Sequence, residues 1–510
     1  MKVNQLKAGV ILSYSSMILG YIIAIVYTPI MLRLLGQSEY GLYNLVSSVV
    51  SYLGLLSFGF GSAYVRFYSR YKVEDNEREI AKLNGMFMII FSVIGVIAVL
   101  AGLVLVANTE SIFGEKLLPG EMQTAKILMA IMVFNIALSF PASVFNSYIT
   151  ANEKYVFQKL IQMIKTVVSP FVMLPVLLMG YKSVGMVVVT TLLTIVVKIS
   201  NAVFCFKRLN MKFSFREFDF ALMKEMIVFS SYIFLDIIVD QINWNVDKFL
   251  LGRFRGTVAV ATYGLAAQLN SYYISLASTI TGVFIPKVNR MVASGSDDSE
   301  LTRLFTRVGR IQFMVLSLVS SGLVFFGEPF IMMWAGSEYR ESFFIFLMLV
   351  LPLSLPLVQT LGIHIQRAKN MHQFRSLVYL LMAICNLVIS IPLTKVYGGV
   401  GAALGTGIGQ IIGNTLVMNI YYHRVIGLDM RYFWKNIAKL VPALIAPCFA
   451  GSIVVSKVNV FRPAFFFTSG FVYVVVFGIS MWFIGMNESE KDLVRVPLRK
   501  IFLGTRQKDH

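Results

Sequence analysis

The sequence is poor in charge and short of the residues on which most enzymes and metal sites depend. Charged residues make up 14% of its 510 residues, against about 25% in a water-soluble domain. Its three cysteines, Cys205, Cys385 and Cys448, fall inside apolar runs at spacings that suit neither a disulfide framework nor a metal. The chain contains no Gly-rich phosphate loop, no His-Glu-x-x-His and no zinc-spaced cysteine pair. We therefore expect neither an enzyme nor a metalloprotein, and no catalytic or cofactor-binding residue.

Long apolar runs are abundant. Hydrophobic residues make up 57% of the chain, and the mean hydropathy is +0.73. A helix needs ~20 apolar residues to cross a bilayer, and about fourteen runs approach that length. They are continuous rather than alternating, which favours helices over a barrel. The predicted spans are 8–32, 41–63, 83–107, 124–150, 157–180, 184–206, 225–251, 259–285, 309–334, 342–364, 376–396, 400–422, 436–456 and 463–485.

The spans predict an all-α integral membrane protein with two parallel six-helix lobes around a central cavity. We predict an N-terminal lobe at 1–206, a cytoplasmic linker at 207–224, a C-terminal lobe at 225–422, two additional transmembrane helices at 423–485 and a basic cytoplasmic tail at 486–510.

Two turn motifs support the repeat. Leu-Leu-Gly followed by Tyr-Gly-Leu occurs around Gly36 and again around Gly252, and a Tyr-x-x-Val-Gly turn begins at Tyr181 and at Tyr397. Both pairs are displaced by 216 residues. Six helices is an even number, so the two halves share one topology and form parallel repeats.

The net charge of +19 is explained by membrane topology rather than by nucleic-acid binding. When loops are assigned alternately to the two faces, about thirty of the 45 basic residues gather on one side, which is the asymmetry expected of cytoplasmic loops. Roughly ten lie on the outer side, including Arg33, Lys116, Arg253, Arg255, Arg340 and Arg462. This pattern predicts that both termini are cytoplasmic.

The span 225–251 carries an acidic stripe, which we define as Asp236, Asp240, Asn243 and Asp247. The spacing i, i+4, i+7, i+11 stacks these residues along one helical face. A charge at mid-membrane costs about 2.5–3.5 kcal/mol on insertion scales, so the stripe is not expected to face lipid. It either lines a wet cavity, binding sugar hydroxyls or a coupling cation (Na⁺ or H⁺) at Asp236 and Asp240, or pairs with a neighbouring lysine or arginine.

Two lysines lie on polar stripes of the fifth and sixth spans. Lys165 and Lys198 are each ~12 Å from the cytoplasmic boundary, at 1.5 Å per residue. An anionic group that enters from the inner leaflet would meet them at that depth. The alternative is that their long stems snorkel back to the headgroups.

Further uncharged polar residues face the predicted lumen. Tyr21 and Asn44 come from the first two spans and Gln268 from the eighth. Individually, such residues more often form interhelical hydrogen bonds than ligand contacts. Together they predict a lumen suited to hydroxyl-rich cargo.

Several motifs resemble the start, and the seventh and eighth helices, of the Wzx-like polysaccharide-biosynthesis flippases. They are the stretch from Pro29 to Tyr43, Phe58-Gly-Phe-Gly61 with Arg66, and Asp247 to Leu269. These flippases belong to the multidrug/oligosaccharidyl-lipid/polysaccharide exporter superfamily. The resemblance implies a polyprenyl-diphosphate-linked oligosaccharide as cargo, moved outward across the bacterial inner membrane by alternating access. It also implies association with a polysaccharide polymerase and glycosyltransferases. By the same resemblance Arg66 lies near the cavity mouth; the alternative is that it anchors its helix at the membrane interface.

Three other functions remain open. A lipid II flippase or a multidrug/cation antiporter would share the architecture, and the antiporter would use carboxylates for organic cations. A membrane glycan polymerase has a similar helix count, but it needs catalytic groups in a sizeable outer loop. No loop in this sequence is long enough for that.

Overall fold

A computed structural model describes residues 5–216, 218–371 and 373–502, and every regular element in those residues is a helix. The first four residues and the end of the predicted basic tail, 503–510, lie outside the described residues. The helices before residue 256 are α1 Gln5–Leu35, α2 Gln37–Ser51, α3 Phe60–Val73, α4 Glu77–Ala107, α5 Thr109–Phe113, α6 Pro119–Ala151, α7 Tyr155–Leu178, α8 Lys182–Arg208 and α9 Phe220–Arg255. Those after it are α10 Thr257–Gly282, α11 Ile285–Ala293, α12 Asp298–Trp334, α13 Glu341–Leu357, α14 Thr360–Ala368, α15 Gln373–Gly409, α16 Met418–Tyr421, α17 Met430–Ala438, α18 Ile445–Lys457, α19 Pro463–Ser480 and α20 Glu488–Phe502.

Every predicted span coincides largely with helical residues, which confirms the all-α membrane fold. Among the described residues, ten helices are long and apolar enough to cross a membrane, or eleven when α13 and α14 count as one bent span. One of the ten, Gln373–Ile426, covers two predicted spans. α10 does not pass this test, because it is rich in Ser, Thr, Tyr, Gln and Asn.

The chain forms two compact units, Met1–Gly264 with Ile391–Ala402, and Leu265–Ser390 with Ala403–His510. The predicted lobe boundaries at 206 and 225 stay a prediction.

The first unit contains an aromatic core between α3 and α4. Tyr64, Phe67, Phe87 and Phe91 are fully buried. The rings of Tyr64 and Phe87 meet edge to face, with centroids 4.9 Å apart. Such pairs contribute about 0.5–1.5 kcal/mol beyond the area that they bury. The cluster therefore fixes α3 against α4.

The predicted linker packs against α4. The Ser214 amide donates to the Ala81 carbonyl at 2.9 Å, and Asn84 Nδ2 donates to the Lys212 carbonyl at 2.8 Å. A Cβ added to Gly85 would lie 2.0 Å from the Ser214 carbonyl oxygen. Because a side chain there would collide with backbone, glycine is what permits the linker to lie on this helix.

A break in the second span positions α9. Phe58 and Gly59 both have positive φ, at 49° and 72°, and they separate the short helix after α2 from α3. The Phe58 ring stacks on Phe234 of α9 at 4.3 Å between centroids. A Cβ on Gly59 would lie 2.8 Å from Ile233 Cγ2. The break therefore contacts α9 at Ile233 and Phe234, just before Asp236.

The predicted turn between the eleventh and twelfth spans is confirmed at Gly398, whose φ of 60° and ψ of −134° interrupt α15. Glycines after this turn allow close packing. A Cβ on Gly405 would lie 2.3 Å from Ser390 Oγ, and one on Gly413 would lie 1.8 Å from Met382 Sδ.

The second unit contains a buried ion pair that ties α20 to α12. Arg310 Nε donates to Glu490 at 2.6 Å, and Arg310 also donates to the carbonyls of Asn436 and Gly485 at 2.7 and 2.9 Å. Arg310 and Glu490 are 6% and 2% exposed. The pair fixes the start of α20, which belongs to the predicted tail, to the body of the unit.

Candidate functional site

The two predicted lysines lie in one polar cluster between α6, α7 and α8. Lys165 Nζ donates to Thr194 Oγ1 at 3.0 Å. Lys198 Nζ donates to Ser139 Oγ at 2.5 Å and to the Asn135 carbonyl at 3.2 Å. Asn135 in turn donates through Nδ2 to Thr191 Oγ1 at 3.2 Å. We call this set the lysine cluster: Lys165, Lys198, Asn135, Ser139, Thr191 and Thr194.

Both ammonium groups point away from the cytoplasmic helix ends. Lys165 is ten residues from the start of α7, whereas its partner Thr194 is fourteen from the end of α8. Lys198 is ten residues from the end of α8, whereas Asn135 is sixteen from the end of α6. Each partner therefore lies deeper in the predicted membrane than the lysine that binds it. This arrangement argues against snorkelling, in which the amines would reach towards the headgroups.

The charge of the lysine cluster is not balanced locally. All hydrogen-bond acceptors of Lys165 and Lys198 are hydroxyl, amide or carbonyl oxygens. Among the described residues, no carboxylate lies within ion-pair distance of either amine. The two lysines also lie close enough to repel each other, and both are half-buried. Two positive charges with neutral partners favour the binding of an anion, which would form shorter and stronger charge-assisted bonds.

The structure divides the acidic stripe of α9. Asp236 and Asp240 are exposed and Asn243 is half-buried. Asp247, by contrast, is 1% exposed, and its Oδ2 accepts a hydrogen bond of 2.6 Å from the Tyr263 hydroxyl of α10. Asp247 therefore packs against α10, because Tyr263 covers that end of α9. The roles of these side chains in binding stay a prediction.

Arg66 is exposed on α3, and its guanidinium lies 4.5 Å from the centroid of the Phe229 ring on α9. A cation over an aromatic face is stabilised by about 0.5–1 kcal/mol at an exposed site. Arg66 thus contacts α9 two turns before Asp236.

The remaining predicted residues lie in both units. Asn44 of α2 donates to the Tyr40 carbonyl at 2.9 Å, and it packs directly on Gly264 of α10. Tyr21 is half-buried on α1. Gln268 lies in the second unit, where its Nε2 donates to the Tyr272 hydroxyl at 2.9 Å.

Sequence reasoning missed Gln241. Its Oε1 accepts from Ser51 Oγ at 3.2 Å and from Asn245 Nδ2 at 2.6 Å, so it joins α2 to α9 beside the acidic stripe. The i, i+4 spacing of Gln241 and Asn245 was a usable signal, since it forms a second polar row on the same helix.

The profile of a protein family described as polysaccharide biosynthesis protein matches residues 6–292. A curated relative from Shigella flexneri, named "Putative O-antigen transporter", is 20% identical over 405 residues. That alignment covers 78% of this chain and 94% of the relative.

Solved structures share the fold over most of the chain. One described as lipid II flippase MurJ in an inward closed conformation has a TM-score of 0.71 at 15% identity, covering 96% of this chain and 99% of that one. An inward-facing multidrug resistance MATE family transporter of the MOP superfamily has a TM-score of 0.63 at 14% identity, covering 79% and 94%. A mutant form of the MATE transporter VcmN of Vibrio cholerae has a TM-score of 0.56 at 15% identity, covering 84% and 98%.

Proposed function

The chain belongs to the polysaccharide biosynthesis protein family, and from this membership we propose that it is a flippase for a polyprenyl-diphosphate-linked oligosaccharide. The cargo moves from the inner to the outer leaflet by alternating access. The sugars cannot cross lipid unaided, because each hydroxyl stripped of water without a partner costs several kcal/mol (about 4–8 in pure hydrocarbon). Polar side chains inside the protein replace that water while the polyprenyl tail stays in lipid.

The lysine cluster is the observation that carries this proposal. Lys165 and Lys198 hold two positive charges inside predicted spans with only neutral partners. A diphosphate supplies the missing negative charge with several acceptor oxygens. Organic cations, the cargo of an antiporter, would be repelled here. The cluster therefore favours an anionic lipid-linked cargo over a cationic drug.

The setting that we propose is the bacterial inner membrane, with both termini cytoplasmic. Orientation rests on the excess of basic residues on one predicted face. The glycosyltransferases that build the cargo would deliver it on that face, and a polymerase would take it up on the other. Association with these enzymes is part of the proposal.

The test is flipping of a fluorescent polyprenyl-diphosphate oligosaccharide in proteoliposomes. Lys165→Gln and Lys198→Gln should each lower the initial rate roughly tenfold, since a hydrogen bond to a charged group contributes about 1.5–3 kcal/mol. Lys159→Gln is the matched control, because Lys159 is exposed on the same helix. Full activity of the Lys165→Gln/Lys198→Gln double variant would refute the proposed diphosphate site.

One observation favours a second candidate, a multidrug/cation antiporter. Asp236 and Asp240 are exposed on α9 and could attract a cation, either an organic one or a coupling Na⁺ or H⁺. Among the described residues, no group of three or more His, Cys, Asp or Glu side chains could hold a metal, so a bound ion would need carbonyl or amide oxygens as well. Drug sensitivity of a deletion strain distinguishes the candidates: an antiporter predicts hypersensitivity to cationic drugs, and a flippase predicts accumulation of lipid-linked oligosaccharide.

A further inference from the structure

One face of α8 is an apolar stripe. Its members recur at i, i+4, i+7, i+11 and i+14, a spacing that places them on one side of a helix. All of them are exposed: Leu192, Val196, Ile199, Val203 and Phe206. Apolar side chains that the protein leaves uncovered are more stable against acyl chains than against water. Lipid therefore covers this side of α8, and Phe206 marks where the apolar stripe reaches the predicted cytoplasmic end of the span.

Stacked rings continue the apolar stripe into the linker. The centroid of the Phe206 ring lies 5.9 Å from that of Phe213, and the centroid of Phe213 lies 5.8 Å from that of Phe215. The planes of the Phe213 and Phe215 rings differ by only 5°, and Phe215 is 59% exposed. The linker therefore presents an uncovered aromatic ring beside the end of the stripe.

Basic residues lie among these rings. Residues 206–216 include four basic residues and no acidic one. They are Lys207, Arg208, Lys212 and Arg216, and all four are exposed. Lys212 pairs with Glu77 at 3.1 Å, whereas the other three make no ion pair in the described part of the chain. Three positive charges are therefore available to an anion at the end of α8.

The linker holds these rings and charges in place. Besides its two hydrogen bonds to α4, it is tied to α8 and α6. The Met211 amide donates to the Cys205 carbonyl at 3.1 Å, and the Tyr148 hydroxyl donates to the Leu209 carbonyl at 3.4 Å. The Met211 side chain is buried. Because the backbone is already ordered, a ligand that binds here does not have to order it.

An acidic phospholipid fits both parts of this surface. Its acyl chains can lie along the apolar stripe while its phosphate reaches the basic residues at the level of the headgroups. Clusters of Lys and Arg directly beyond a membrane helix attract acidic lipids, and a guanidinium binds phosphate through two parallel hydrogen bonds. A soluble anion would leave the rings uncovered, and a zwitterionic lipid carries no net charge to balance the cluster.

We propose that the end of α8 and the linker form a binding site for an acidic phospholipid. The phosphate binds Lys207, Arg208 and Arg216. The acyl chains pack on Phe206 and Phe215. This site is separate from the lysine cluster, which lies deeper in the span, and the inference does not depend on any cargo.

The first experiment measures lipid binding to the full chain by native mass spectrometry, in micelles that contain phosphatidylglycerol or phosphatidylcholine. The first bound phosphatidylglycerol should have a Kd at least about tenfold below that of phosphatidylcholine. The Lys207→Gln/Arg208→Gln/Arg216→Gln variant should raise the Kd for phosphatidylglycerol at least about tenfold, since each basic residue near an acidic surface strengthens binding about fivefold. Equal Kd values of the unsubstituted protein for the two lipids would overturn the proposal.

The matched control removes the same charge from the same predicted face of the membrane. Lys287, Arg290 and Arg303 are exposed residues of α11 and α12. Their triple substitution by glutamine should leave the Kd of the first phosphatidylglycerol unchanged. If both triple variants weaken binding equally, only the total charge of the protein matters and the proposed site is wrong.

A diphosphate is the other lipid-linked anion that could bind three basic residues. Farnesyl diphosphate, a short polyprenyl diphosphate, serves as the competitor in the same micelles. An equimolar amount should leave phosphatidylglycerol bound. Its displacement from the unsubstituted protein would overturn the assignment to a phospholipid and would instead place a cargo headgroup at the linker.

The second experiment measures the depth of the linker in a bilayer. In a protein with Cys205, Cys385 and Cys448 replaced by alanine, Phe215→Cys carries a fluorescent label in nanodiscs that contain phosphatidylglycerol. Lipids with a nitroxide at the top of the acyl chain should quench this label at least about threefold more than a label at Asp75→Cys. Asp75 is the control because it is exposed in the turn between α3 and α4, on the same predicted face. Equal quenching at both positions would show that the linker does not reach the lipid.

Discussion

Buried charge is handled in two different ways by single residues of this protein. Arg310 and Glu490 face each other with all their polar atoms engaged, which is the arrangement expected of a structural pair. Lys165 and Lys198 have only neutral acceptors. Removing one member of an ion pair leaves the other charge buried without a counter-charge. Lysines whose partners are all neutral can instead bind an anion. The two kinds of site therefore predict different consequences of substitution.

Replacing Glu490 with glutamine should destabilise the protein strongly. The substitution leaves the Arg310 guanidinium buried without a counter-charge, which costs about 3–5 kcal/mol. Thermal unfolding in detergent should show a fall in Tm. Glu488→Gln is the control, because Glu488 is exposed and pairs at the surface with Lys491 and Arg495. Equal Tm values for the two variants would show that the buried pair contributes nothing specific.

Neutralising Asp240 tests cation coupling. If Asp240 binds Na⁺ or H⁺, Asp240→Asn should lower flipping in proteoliposomes and abolish its response to an imposed Na⁺ or pH gradient. Asp75→Asn serves as the control, since Asp75 lies in the turn between α3 and α4, outside the spans. The coupling role is refuted if Asp240→Asn flips cargo at the full rate and the unsubstituted protein does not respond to the gradient.

Irregular backbone positions the functional side chains at the scale of whole elements. The positive φ values of Phe58 and Gly59 divide the second span and create the surface that receives α9. The linker is fixed to α4 by Ser214 and Asn84 rather than left free. A bend of 44° separates α13 from α14, close to Pro356. The break at Phe58 and Gly59 therefore helps to decide where α9 presents its acidic stripe.

Gly59→Ala should therefore lower the stability of the protein more than an alanine placed at another positive-φ glycine. Gly180 has a φ of +84° with nothing within 4 Å of an added Cβ, whereas at Gly59 the Cβ would lie 2.8 Å from Ile233. Gly180→Ala measures backbone strain alone, about 1 kcal/mol. Gly59→Ala adds overpacking of about 1–3 kcal/mol, and Ile233→Ala in the same chain should recover part of it. The check is the denaturation midpoint of each variant, and equal midpoints would contradict the packing argument.

As a whole molecule, the chain is a multi-pass membrane transport protein and not an enzyme. Its family and its apolar helices agree on this, and flippase and MATE structures share its fold. A transporter of an anionic lipid through the membrane moves charge across the electric field. The membrane potential should therefore act on the cycle as a whole rather than on any one residue.

Flipping should accelerate when the cytoplasmic face is made negative. A negative charge that moves outward then gains about 2.3 kcal/mol per 100 mV. A rate-limiting step that carries one charge through half of that drop would speed up roughly sevenfold. Potassium diffusion potentials of either sign, imposed on proteoliposomes of known orientation, provide the measurement. Equal rates at both signs would mean that no net charge crosses the field in that step.

Hydropathy alone determined the order and helical nature of the spans, because lipid forces each crossing segment to satisfy its backbone hydrogen bonds internally. That is a local constraint, readable from runs such as 83–107 or 463–485. Only the tertiary structure decided which polar residues meet. Asp236 and Asp247 share one helical face, yet Tyr263 covers only Asp247, and Glu121 joins two helix starts that no sequence pattern pairs. Such contacts depend on the rotation and vertical offset of each helix against its neighbours, and an apolar run of suitable length is compatible with many values of both.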